Sequence, residues 1–145
     1  MNYQLIVTLA LAVTGLSAAD KKVQMKDLPA AVQHTVRAEE ARGARIVGLA
    51  TEVKGGKTMY EVETTAGGRT KDLLLDAAGA IVETEEETAI DAVPAAVKTA
   101  LESRGKVGKV ETVTRGATVT YEAVVEKNGK KTEVAVNAAG KPIKP

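Results

Sequence analysis

The 145-residue sequence contains no cysteine, no phenylalanine and no tryptophan, and only three tyrosines, four prolines and one histidine. Without cysteine there is no disulfide framework, no thiolate metal site, no cysteine nucleophile and no lipid anchor of the lipoprotein kind. Without Phe or Trp the core has to be built from Val, Leu, Ile and Ala, which leaves a thin margin for units of about 60 residues. An excess of one charge is also missing, since 20 basic residues face 19 acidic ones. The total therefore implies neither a polyanion-binding face nor an acidic tail. Beyond the N-terminal segment the only aromatics are Tyr60 and Tyr121. Single-stranded nucleic acid would find no stacking platform there, and nucleic acid is not an expected partner.

No apolar run is long enough to span a bilayer comfortably. The longest, Leu5 to Val13, reads instead as the core of a signal peptide over residues 1–19, with Ser17-Ala18-Ala19 before Asp20 as the cleavage site. Its first residues, Asn2-Tyr3-Gln4, carry no Lys or Arg, so the amino terminus alone supplies positive charge. An exported chain without cysteine suits a bacterial envelope, periplasmic or secreted, with no membrane insertion once the leader is removed.

What the chain does have is an internal echo. Leu28-Pro29-Ala30-Ala31-Val32 returns as Val93-Pro94-Ala95-Ala96-Val97, Tyr60-Glu61 as Tyr121-Glu122, and Asp76-Ala77-Ala78-Gly79 as Asn137-Ala138-Ala139-Gly140. The second copy is four residues shorter between its first and second signals, so a duplication with one deletion explains all three. Each copy opens with a helix signal, a proline where a missing N–H costs nothing, with Asp27 or Asp91 close by. Leu28, Val32 and Val36 fall four apart, as do Val93, Val97 and Leu101, so each trio forms one stripe. Gly43 and Gly105 are the expected C-terminal stops.

Strands follow each helix, and the turns between them predict a register. A two-residue turn at Asn128-Gly129 sets Val125 against Thr132, Ala123 against Val134 and Tyr121 against Val136. A turn at Gly67-Gly68 sets Val62 against Leu73 and Tyr60 against Leu75. Turns at Gly55-Gly56 and Gly116-Ala117 add Leu49 and Val53, or Val110 and Thr114, to the same apolar face. The expected fold class is α+β: two tandem repeats, residues 20–87 and 88–145, each a helix packed on one face of a three- or four-stranded antiparallel meander. The acidic stretch Glu83-Thr84-Glu85-Glu86-Glu87 between them reads as a solvated linker or strand end.

A helical Leu-Pro-x-x-Val, a strand reading Tyr60-Glu61-Val62-Glu63 and a corner at Asp76-Ala77-Ala78-Gly79 together resemble the PepSY-like family of small exported domains. The second copy departs from the pattern, with Tyr121-Glu122-Ala123-Val124 and with Asn137 at the corner. The tandem arrangement also resembles the beta-lactamase inhibitor protein. The resemblance implies a non-catalytic domain that restrains a peptidase or binds another envelope protein. Fold likeness alone does not fix function.

Chemistry has little material. After the leader there is one His (His34) and one Ser (Ser103), on different helices, and a nucleophilic triad needs both together with an orienting carboxylate. A lone His is no metal site. No cofactor is expected, and the chain is not expected to be an enzyme. The remaining resource is carboxylate: the register puts Glu61, Glu63 and Asp72 of copy one, and Glu111, Glu122 and Glu133 of copy two, on the sheet face opposite the helix. It sets Glu63 directly across from Asp72, and Glu111 across from Glu122. Like charges so placed are unfavourable. Three explanations stand open: relief by nearby Lys or Arg, a wrong register, or a surface made for a cationic ligand or partner. The expected function is an exported protein-binding module, regulating or inhibiting a peptidase or other envelope enzyme through this face or the loops. The alternative is a periplasmic ligand- or cation-binding sensor that uses the same carboxylates.

Overall fold

The computed structural model describes residues 21–144; the expected signal peptide lies outside them. After a short edge strand β1 (Lys21–Lys22) and a 3-10 turn comes α1 (Ala30–Ala41), then β2 (Arg45–Lys54), β3 (Lys57–Ala66), β4 (Arg69–Leu75) and β5 (Ile81–Glu87). A second 3-10 turn leads to α2 (Ala95–Glu102), β6 (Lys106–Arg115), β7 (Thr118–Lys127), β8 (Lys130–Asn137) and β9 (Pro142–Ile143). The long hairpins close on two-residue turns that need positive φ, supplied by glycine and, in the β7–β8 turn, by Asn128 at φ 53° followed by Gly129 at 74°. The expected pairs are found: Val62 faces Leu73, Tyr60 faces Leu75, Ala123 faces Val134 and Tyr121 faces Val136.

The expected fold class requires correction. The nine strands form one antiparallel sheet in sequential order, not two tandem helix-and-meander repeats. β5 pairs with β4 on one side and with β6 on the other, through Thr84 with Thr114, Glu85 with Val113, Glu86 with Thr112 and Glu87 with Glu111. The physical reason is hydrogen bonding: two separate meanders would each present an unpaired edge at the join, and pairing β5 with β6 satisfies both. The acidic stretch expected as a solvated linker or strand end thus belongs to the middle strand of a mostly-β molecule.

Register places both helices on the same side, because Val62, Leu73, Thr84, Thr114 and Val119 are successive neighbours across the sheet. Under α1 lie Val62, Leu73 and Leu75, met by Val32 and Val36. Under α2 lie Val110, Ala123, Val125, Val134 and Val136, met by Val97 and Leu101. Val32, Val36, Val97 and Leu101 are wholly buried, each contributing about 1.5–3 kcal/mol by leaving water. Tyr60 and Tyr121 pack half-buried against these clusters.

Each helix is also held by a corner of the sheet. Asp76 Oδ1 accepts from the backbone N–H of Ala78 and Ala80, and Asn137 Oδ1 from those of Ala139 and Lys141. The corner glycines, Gly79 at φ 78° and Gly140 at 73°, lie so close to α1 and α2 that an added Cβ would meet the carbonyl of Ala31 or Ala96.

Candidate functional site

The sheet face opposite the helices carries the candidate site. Alternation along each strand sends every second residue there. At its level across the strands, Glu63 faces Asp72 and Asp72 faces Glu85. Alongside, Glu87 faces Glu111 and Glu111 faces Glu122. Both expected like-charge pairs are therefore present. Bulges in β2, between Ile46 and Gly48, and in β6, between Val107 and Val110, sit at one end of this face; such bulges bend and twist their strands.

The result is a groove of about 770 Å³ whose walls run from Lys22 of β1 to Glu133 of β8. All six carboxylates singled out from the sequence, Glu61, Glu63, Asp72, Glu111, Glu122 and Glu133, line it. So do the exposed Val47 and Val124. Gly48 makes room for Glu63, whose carboxylate a β-carbon at that position would strike.

Three groups unforeseen in the sequence make the acidic face tolerable. Lys109 Nζ lies 2.5 Å from Glu111 Oε1. Arg115 donates through Nε to Glu83 and reaches Glu122 at 3.9 Å, and Lys54 Nζ meets Glu83 at 3.3 Å. Burial alone would raise the Glu83 carboxyl, but the Arg115 hydrogen bond and the Lys54 charge outweigh it, and the net movement is down. Lys109 behaves in the same way: burial works against its charge, the bond to Glu111 prevails, and the ammonium is held charged.

A further relief is a proton. Burial pushes Glu85 up to about 8, and the charges of Glu111, Glu122 and Glu83, with a hydrogen bond to Glu83, push the same way. Burial likewise raises Asp72 to about 6, against Lys109 and with the help of Glu111 and Glu63. Glu122 is raised by burial first and then by Glu133. At neutral pH the row thus holds fewer charges than carboxyls. Of the three open explanations, the register stands and local cations and a retained proton supply relief.

Carboxylate oxygens of Asp72, Glu85 and Glu111 come within 4.8 Å of one another. The trio could offer three oxygens to a hard cation, which prefers six or more. Glu111 is already bonded to Lys109, and Glu85 keeps its proton to about pH 8, so a cation would have to displace both. His34 is exposed on α1, and the Ser103 hydroxyl donates to the Ala100 carbonyl at the end of α2.

No protein-family model matches the chain, and no curated protein matches it. Solved structures do. A DUF2874 family protein from Bacteroides ovatus superposes with a TM-score of 0.60 at 20% identity, covering 81% of this chain and 85% of that one. A proposed periplasmic protein from Bacteroides eggerthii gives a TM-score of 0.64 at 20% identity, covering 80% and 86%. A BLIP-like protein from Bacteroides fragilis gives 0.55 at 25% identity, covering 78% and 81%. None of these is named as PepSY-like. Among the described residues no helix is long and apolar enough to cross a membrane. The chain has the fold of DUF2874 family proteins and of a BLIP-like protein.

Proposed function

We propose that the chain is a non-catalytic protein-binding module of the bacterial envelope, which docks another protein on the helix-free face of its sheet and regulates or inhibits it. The observation that carries this reading is the groove: an open trough across β1 to β8, lined by exposed valines and by all six of the carboxylates. A trough of this width suits a protruding segment of a second protein better than a small molecule, which favours an enclosed pocket. The fold shared with a BLIP-like protein and with a proposed periplasmic protein supports the reading. A peptidase or other envelope enzyme is the proposed partner, and membership of the PepSY-like family belongs to the same proposal.

A photo-crosslinking residue at Val124, inside the groove, tests it against one at Glu40, exposed on α1. Position 124 is expected to capture one identifiable envelope protein that rebinds the purified chain, while position 40 captures none. Equal capture from both positions, or none from 124, sinks the proposal. The competing cation reading predicts binding heat on titration with calcium at pH 7. The proton on Glu85 and the ammonium on Glu111 lead us to expect none at millimolar concentration.

A further inference from the structure

Resting on that reading, we infer that the segment which enters the groove is cationic: a stretch of partner polypeptide presenting two or more lysine or arginine side chains. Eight carboxylates and four lysines line the groove, so its charge is lopsided although the whole chain is close to neutral. Local cations serve the middle of the row, where Lys109 holds Glu111 and Arg115 approaches Glu122. The two flanks are different. Among the described residues, no lysine or arginine comes within ion-pair distance of Glu63 on β3 or of Glu133 on β8, whereas Asp72 feels Lys109 and Glu126 has Lys106 and Lys131 opposite it.

Each flank carries an exposed valine beside its carboxylate: Val47 lies in the β2 bulge next to Gly48, the partner of Glu63, and Val124 of β7 lies directly opposite Glu133. Val47 and Val124 keep 54% and 38% of their surface exposed. Lysine and arginine match such a surface, because their alkyl stems lie along apolar atoms while their heads reach carboxylates beyond. An anionic segment would meet repulsion on both flanks. A compact metal ion would engage one flank and leave the valines bare. A polypeptide alone spans both flanks and covers the valine at each.

The test uses protein purified after expression of the full chain and a fluorescein-labelled peptide of five Lys-Thr repeats, read by fluorescence anisotropy at low salt. Binding is expected, and it should weaken steeply with added salt. The double variant E63Q/E133Q removes one carboxylate from each flank and should weaken binding at least about five-fold, one exposed ion pair being worth up to about 1 kcal/mol. The matched variant E40Q/E102Q takes the same charge from the helices and should stay within about two-fold. Several results would overturn the inference: no binding of the Lys-Thr peptide, equal binding of a Glu-Thr peptide, equal weakening by both double variants, or full competition by equimolar spermine. If crosslinking at Val124 captures a partner while the Lys-Thr peptide fails to bind, the docking proposal survives and only the cationic character of the segment is lost.

Discussion

Burial pushes Glu85 and Glu83, two residues apart on one face of β5, the same way, but their net shifts are opposite because Arg115 and Lys54 bond Glu83. An unfolded glutamate loses its proton near pH 4.5, whereas the folded chain holds the Glu85 proton to about 8. Between those values the folded state binds the extra proton, so the stability from this group is complete below pH 4.5 and is lost as pH rises through 8. Asp72 adds the same trend between 3.8 and about 6. The protein should therefore melt several degrees higher at pH 5.5 than at pH 8.5. E85Q, which imitates the protonated form, should stabilise by about 2 kcal/mol at pH 8.5 after allowance for its partial exposure, and by about a third of that at pH 5.5, one unit above the unfolded value. Thermal melts followed by circular dichroism at the two pH values check this, and an unchanged pH dependence in E85Q refutes it. Glu83 has the opposite sign: its pKa is lowered, so its contribution is present above pH 4.5 and fades as pH falls below that. R115A should cost about 1–2 kcal/mol at pH 7 by leaving a buried carboxylate with only Lys54, and denaturant titration measures the loss.

At the scale of elements, the hairpins were legible because glycine turns leave little choice of register, and a one-residue slip would have turned Val62, Leu73 and Val136 outward. The same logic located six of the eight acidic residues that line the groove, and missed Glu87 and Glu126. β5 was not legible. Its Glu83, Thr84, Glu85, Glu86 and Glu87 carry no apolar alternation, and what places them in a sheet is the pairing of two flanking strands, which no local pattern records. Lys109 was within reach of the sequence: it lies two residues before Glu111, so strand alternation puts the two on one face, where they pair. The helix-bearing corners were recognised as an echo, yet the motive for their glycines is tertiary. Substitution separates the two roles of glycine in this chain. Gly129→Ala, in an open turn, should cost about 1 kcal/mol from its positive φ alone. Gly79→Ala and Gly140→Ala must in addition move a helix carbonyl and should cost about 3 kcal/mol each. Equal losses at all three positions, measured by urea unfolding, would show that the corners do not carry the helices.

The whole molecule poses a question that neither helix answers: whether two apolar clusters that share no buried residue unfold together. The connection runs through the middle of the sheet. β5 is bonded along both edges, Val113 opposite Glu85 is 1% exposed, and the Thr88 hydroxyl meets that of Thr112 at 2.8 Å on the helix side. On the other side Arg115 of β6 holds Glu83 of β5. Losing one cluster would leave β5 or β6 with an unpaired edge and strip Glu83 of its main cation, so partial unfolding exposes costly groups in the half that remains. A single transition is expected, with equal calorimetric and van't Hoff enthalpies. Val36→Ala under α1 and Leu101→Ala under α2 should each lower the midpoint of that one transition, by about 2–4 kcal/mol, and their effects should add because the sites are far apart. If instead Val36→Ala split the melt, displacing one step and leaving another unmoved, the sheet would be continuous in its hydrogen bonds but not in its cooperativity. The groove, which draws its walls from both halves, would then be able to lose one wall while keeping the other.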